Sequence, residues 1–284
     1  MKRQLFTMLA AATALSVAVT GYAESVKKNE PMPVMVVTDI KCEFCPTDDV
    51  QKELKGSFPQ AIFSVIDYRS KAAKALISKY GIKTLPCFLI PAEAKNFDGF
   101  KNISDSLAPI GDKFILKRDK AGMFLFLGRD YADNEVTYFF DFYDSRTKDT
   151  FPLLREFCTE QNIKLKINIV VPSVPVFGYP QQEVVTALAI EKTYPDKFLD
   201  YLSERIKTIE TLDCTTAAAK MSLDINALSK ELEPVEAGKL LKDNEALAND
   251  LGITNGNALL ANNMRLFMIM KAKKEDFAKI INRK

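Results

Sequence analysis

The chain has 284 residues, 47% of them hydrophobic and 27% charged, enough apolar material for about two buried cores and far from a disordered composition. A net charge of +2 carries neither the basic surplus of a nucleic-acid binder nor an acidic solvating tail. There is no histidine, which excludes a Ser-His-Asp or Cys-His nucleophile and any histidine-ligated metal, so chemistry falls to cysteine, carboxylate, lysine, tyrosine or the backbone.

Lys2 and Arg3 precede an apolar run over residues 5–19, and Gly21-Tyr22-Ala23 offers small residues where a signal peptidase reads. Residues 1–23 are therefore expected to be a secretory signal. The alternative, an uncleaved anchor helix, has to contend with a run short for a bilayer. No cysteine stands directly after the run to take a lipid, and no later stretch is long and apolar enough to span a membrane. The mature chain is expected to be periplasmic or secreted, where disulfides persist.

A polar linker (24–32) leads to a first domain expected over 33–130. Val34-Met35-Val36-Val37 reads as a buried strand and runs through Asp39 into Cys42-Glu43-Phe44-Cys45. Pro46, Asp48 and Asp49 then suit the first turn of a helix, with Val50, Leu54 and Phe58 on one face. Residues 62–66 make a second strand. A helix follows from Ser70, with Ala73, Leu76, Ile77 and Tyr80 inward, and stops at Gly81. Pro86 opens a third strand, so the order is strand-helix-strand-helix-strand with a parallel pair. Residues 111–116 and 123–127 read as two further strands joined in a hairpin that completes this sheet.

The second domain is expected over 135–284. Residues 136–142 are apolar on both faces, as a central strand is. Phe151, Leu154, Phe157 and Cys158 give a helix an inner face. Residues 163–169 alternate as a half-buried strand, and two long stretches with helical periodicity (183–209 and 225–251) follow. Two short strands (258–261 and 264–270) and a last helix (274–282) close the chain.

Strand, CxxC, helix, strand, helix and then Gly81-Ile82-Lys83-Thr84-Leu85-Pro86 leading into a strand resembles thioredoxin. The later stretch resembles the DsbA-like family, through Phe139-Phe140-Asp141-Phe142, Phe151-Pro152-Leu153-Leu154 and Pro175-Val176-Phe177-Gly178. The fold class implied is α/β: two tandem thioredoxin-like domains, the second with a DsbA-like helical insertion. The resemblance implies that Pro86 is a cis-proline beside the cysteines, that Cys42 is the attacking thiol at a helix start, and that Cys45 resolves the mixed disulfide. Glu43, with Phe44, modulates the pair; its charge disfavours a thiolate and makes the pair less oxidising than the strongest periplasmic oxidants. The usual buried acid would fall at Val36, with Asp39 out of phase, and Lys41 stands where a tryptophan is usual.

In the second domain Asp144-Ser145-Arg146-Thr147 replaces the CxxC and Asn257 the cis-proline, so thiol chemistry is expected in the first domain alone. Asp144 and Arg146 are either a new catalytic pair or a solvated loop. Cys87 is a small core residue, a third redox thiol or a metal ligand with Cys42 and Cys45. Cys158 and Cys214 are either a structural disulfide or two buried free thiols.

The leading reading is a thiol-disulfide oxidoreductase whose partners are secreted or periplasmic protein thiols and disulfides, and a redox partner protein. Its second domain binds a substrate, a partner or another copy in a homodimer. No resident metal is expected, and without a phosphate-cradling glycine loop no organic cofactor is either. The rival readings are a binding module in which Cys42–Cys45 is a staple, and a thiolate metal-handling protein.

Overall fold

A computed structural model describes residues 30–42, 47–117, 124–171, 180–269, 271 and 273–281. The expected signal, Glu43, Phe44, Cys45 and Pro46, and the 175–178 loop lie outside the described residues. Eleven strands and ten α-helices, counted among the described residues, form two sheets.

The first half contributes β1 (Met32–Thr38), α1 (Thr47–Ser57), β2 (Ala61–Asp67), α2 (Lys71–Tyr80), β3 (Thr84–Leu85), β4 (Cys87–Pro91), a short α3 (Phe100–Ile103), β5 (Leu107–Ile110) and β6 (Lys113–Leu116). The first sheet runs β2-β1-β4-β6-β5, with β1 and β2 parallel and the other pairs antiparallel. Local chemistry sets the two helices. Asp48 and Asp49 lie in the first turn of α1 and Lys55 in its last, matching the helix dipole. In α2, Ser70 Oγ accepts the Ala73 N–H, and Gly81 (φ 60°) donates its N–H to Ile77 O. One face of the sheet buries Val34, Val36, Phe88 and Ile90 against Leu54 and Phe58. The other buries Val37, Leu85, Cys87 and Leu89 against Ala73 and Tyr80.

The second sheet runs β3-β7-β11-β10-β8-β9, with β7 (Phe124–Phe126), β8 (Glu135–Phe140), β9 (Lys164–Ile169), β10 (Ala258–Ala261) and β11 (Arg265–Met268). Between β8 and β9 lies α4 (Thr147–Glu160). The insertion before β10 comprises α5 (Pro180–Thr193), α6 (Pro195–Thr208), α7 (Cys214–Lys220), α8 (Ile225–Leu228) and α9 (Pro234–Leu251); α10 (Lys274–Ile281) closes the chain. Pro195 separates the single helical stretch read over 183–209 into α5 and α6, sitting in the first turn of α6.

The two sheets repeat one plan: β9-β8-β10-β11 has the order and directions of β2-β1-β4-β6. An offset of 102 residues carries the pair Thr38↔Asp67 onto Phe140↔Ile169, and holds along both parallel pairs. The chain is α/β with two thioredoxin-like sheets and a helical insertion in the second.

One expectation is corrected. Residues 123–127 were to pair with 111–116; instead β6 pairs with β5 and β4, while β7 pairs with β3 and β11. The two-residue turn Gly111-Asp112, with Gly111 at φ 57°, closes β5 onto one edge of β6, and β4 holds the other. Among the described residues no helix is long and apolar enough to cross a membrane.

Candidate thiol site

β1 delivers Cys42 through a tight turn. Cys42 N–H donates to Asp39 O (2.9 Å) and Lys41 N–H to Asp39 Oδ1 (3.1 Å), so the aspartate shapes the exit from the strand. Cys42 is half-buried and disulfide-bonded. The Leu85–Pro86 peptide is cis. Val37 lies opposite Cys87 in the β1–β4 ladder, which puts Pro86 level with Thr38, four residues before Cys42.

Cys87 points the other way from any exposed site. Its side chain is buried with Val37, Ala73, Tyr80 and Leu85, it is free, and burial pushes its thiol up to about 12. A thiol in that state is neither a nucleophile nor a ready metal ligand. Of the three readings of Cys87, the core residue is the one its surroundings fit.

Sequence reasoning missed Arg69. Its Nη2 lies 2.7 Å from Asp39 Oδ1 and 2.7 Å from Asp67 Oδ2, and its Nε donates to Asp67 Oδ1 at 2.8 Å. Asp39 is buried, so a carboxylate at the foot of the Cys42 turn is held beside a guanidinium rather than alone. The hydrogen bonds from Arg69 hold the Asp67 carboxyl at about 2, and the Asp67 carboxylate raises Arg69 in turn. A signal was available: parallel register places the ends of β1 and β2 side by side, so charges just past each strand meet. Val36, the position where the family's buried acid would fall, is an apolar core residue with 0% exposure.

The second sheet has the same scaffold with different chemistry. Phe139 lies opposite Ala258 as Val37 lies opposite Cys87, so Asn257 occupies the place of Pro86 and, by the same offset, Asp144 that of Cys42. The turn is copied too: Asp141 Oδ1 accepts the Tyr143 N–H at 2.8 Å, as Asp39 accepts that of Lys41. Asn257 sits at φ 63° with 0% exposure, and its groups are bonded throughout. Its N–H donates to Phe139 O (2.7 Å), its Oδ1 accepts the Tyr138 hydroxyl (2.8 Å), and its Nδ2 donates to Ile269 O (2.7 Å).

Asp144 is gripped by Arg146, whose Nε and backbone N–H each stand 2.9 Å from Oδ1. The pair holds the Asp144 carboxyl below its ordinary range, while burial raises that of Asp141. Arg146, Lys148, Asp149, Thr150, Pro152, Leu153 and Lys271 line a shallow cleft at the start of α4. A salt-bridged Asp144 is a poor proton donor at neutral pH, and no cysteine lines the cleft.

Cys158 and Cys214 are both free and buried, so of the two readings it is the free thiols that stand and not the disulfide. Cys158 packs in the core between α4 and the insertion, whereas the Cys214 sulfur accepts the Thr186 hydroxyl at 3.4 Å. Among the described residues no cluster of three Cys, Asp or Glu side chains is placed to hold a metal.

No family model matches the chain, and no curated protein is similar enough to match it. Several solved structures do. The thiol-disulfide exchange protein alpha-DsbA2 from Wolbachia pipientis is 14% identical, over 54% of this chain and 85% of its own, with a TM-score of 0.41. The catalytic domain of Proteus mirabilis ScsC is 20% identical, over 57% and 86%, at 0.41. Oxidoreductase DsbA from Xylella fastidiosa is 15% identical, over 54% and 87%, also at 0.41.

Proposed function

We propose that the protein is a thiol-disulfide oxidoreductase that works through Cys42 and Cys45 alone, on secreted or periplasmic proteins reached by way of the 1–23 signal. In this reading residues 33–130 are the redox domain, and residues 135–284 a domain of the same plan without thiol chemistry. The observation that carries it is Cys42: a half-buried, disulfide-bonded cysteine just past the end of β1, where the neighbouring strand enters from a cis-proline.

In the reducing direction the Cys42 thiolate attacks one sulfur of a client disulfide. That S–S bond breaks, a Cys42–client disulfide forms, and the second client sulfur leaves as a thiolate. Cys45 then attacks the Cys42 sulfur, releasing the first client sulfur and leaving Cys42–Cys45 oxidised, to be reduced by a dithiol partner protein. Run backwards, the same steps oxidise a client. Glu43, in the gap between the cysteines, disfavours the thiolate and keeps the pair from being a strong oxidant.

Reduction of insulin disulfides by the protein with a dithiol reductant tests the proposal. The expected result is catalysis that Cys42→Ser abolishes. A Cys42 disulfide that survives mild dithiothreitol, with no insulin reduction, would make the bond a staple and end the redox reading.

A further inference from the structure

The strand that leads into Pro86 is not held by the first sheet. Thr84 pairs with Phe126 and Leu85 with Leu125, and β7 in turn pairs with β11, so β3 is the edge of the second sheet. Backbone bonds extend the junction on both sides: Leu127 N–H donates to Lys83 O and Phe126 N–H to Met264 O, each at 2.8 Å.

The alternation of β7 divides its side chains between two cores. Leu125 packs with Val37 and Cys87 of the first sheet and with Leu85 of β3. Its neighbour Phe126 packs with Phe139, Leu260 and Leu266 of the second. Arg129 fastens the strand's exit, bonding Asn263 through Nε and Nη2 and Asp250 through Nη1.

We infer that the second sheet fixes the proline wall of the thiol site, with Leu125 and Phe126 as positioning residues that act through β3. The thiol-free half is then a rigid support for Cys42 chemistry rather than a module on a tether. A displacement of β7 moves Leu85 and Pro86 directly, because no other strand pairs with β3 among the described residues. This inference gives the second half a role within the redox reading and rests on that reading for its functional consequence.

The test uses the full-length protein. Phe126→Ala removes a ring that packs in the second core, with Phe139, Leu260 and Leu266. Leu202→Ala, in α6 and buried in the insertion's core, serves as the control for general destabilisation. Amide hydrogen exchange at Leu85 and Cys87 should speed up about tenfold or more in Phe126→Ala relative to Leu202→Ala, since a local opening raises exchange only where the structure is coupled. The equilibrium of the Cys42 disulfide with glutathione should shift in the first variant and stay put in the second. Should Phe126→Ala not fold, Phe126→Leu keeps the site apolar and should show a smaller change in the same direction.

Equal exchange at Leu85 and Cys87 in the two variants overturns the inference. The amide measurement needs no thiol chemistry, so a wild-type protein inert toward insulin would end the redox reading while leaving this result to stand or fall separately.

Discussion

Arg69 joins two carboxylates, and its loss has a calculable signature. The Asp67 carboxyl is held at about 2, below its ordinary value, chiefly by the Arg69 side chain. A depressed folded-state pKa stabilises the protein above the unfolded value, near pH 4, and that stability drains away as pH falls toward the folded one. Wild type should therefore lose stability between about pH 4 and pH 2 more steeply than Arg69→Ala. The variant should also be weaker at neutral pH by about 1–3 kcal/mol, because Asp39 keeps its burial and loses its cation. Denaturant titrations across that pH range test both statements; parallel pH curves for the two proteins would contradict them.

Cys87 gives a second test at this scale: with its thiol at about 12, iodoacetamide at pH 8 should leave it unmodified in the folded protein and label it in denaturant. The sequence made the pair at 42 and 45 legible because CxxC and a proline forty-odd residues on are chemical punctuation. Arg69 is legible only by its place just past β2, since the expected parallel pair sets that strand end beside Asp39 while no motif marks the residue itself. Cys158 and Cys214 were opaque: composition marks cysteines that can pair, and only packing decides whether they face each other.

At the scale of elements, the two halves differ at one matched position, where the first has the cis-proline Pro86 and the second Asn257. Restoring the proline as Asn257→Pro should fail. Proline requires φ near −65°, whereas Asn257 sits at 63°, and its N–H is bonded to Phe139 O. The substitution should cost about 3 kcal/mol or more, read as a lowered midpoint in denaturant. An unchanged midpoint would mean the turn is freer than its hydrogen bonds imply.

Within the insertion, Glu183 and Arg205 form a bidentate pair at 2.8 Å and 2.8 Å, with side-chain exposures of 7% and 2%, and tie α5 to α6. Glu183→Ala leaves a buried guanidinium unpaired and should destabilise by about 3–5 kcal/mol, far beyond a surface charge removal. The helices α2, α4 and α9 are readable from apolar spacing, and α2 also from Gly81 at its end. Strand β7 was readable as a strand and misassigned as to sheet. Three consecutive apolar residues say that two faces are buried; they do not say that the faces belong to different cores.

For the whole molecule, the constant 102-residue offset between the two parallel pairs means that the halves share a frame down to the aspartate-shaped turn, while the reactive groups differ. In the proposed reading, exchange belongs to the half with Cys42 and support to the half with Asp144. The parallel pair of each sheet is visible in the alternation of strands and helices, because strand-helix-strand order implies a crossover between neighbouring strands. The join between the sheets is not, because β3 and β7 are distant in sequence and meet only through long-range pairing.

The measurement that bears most directly on the central claim is covalent trapping with Cys45→Ala in the compartment where the protein resides. With the resolving thiol removed, client proteins should accumulate as mixed disulfides, each mapped by mass spectrometry to Cys42 and absent in the Cys42→Ser, Cys45→Ala double variant. Mixed disulfides mapped instead to Cys87, Cys158 or Cys214, or none in either variant, would contradict the account.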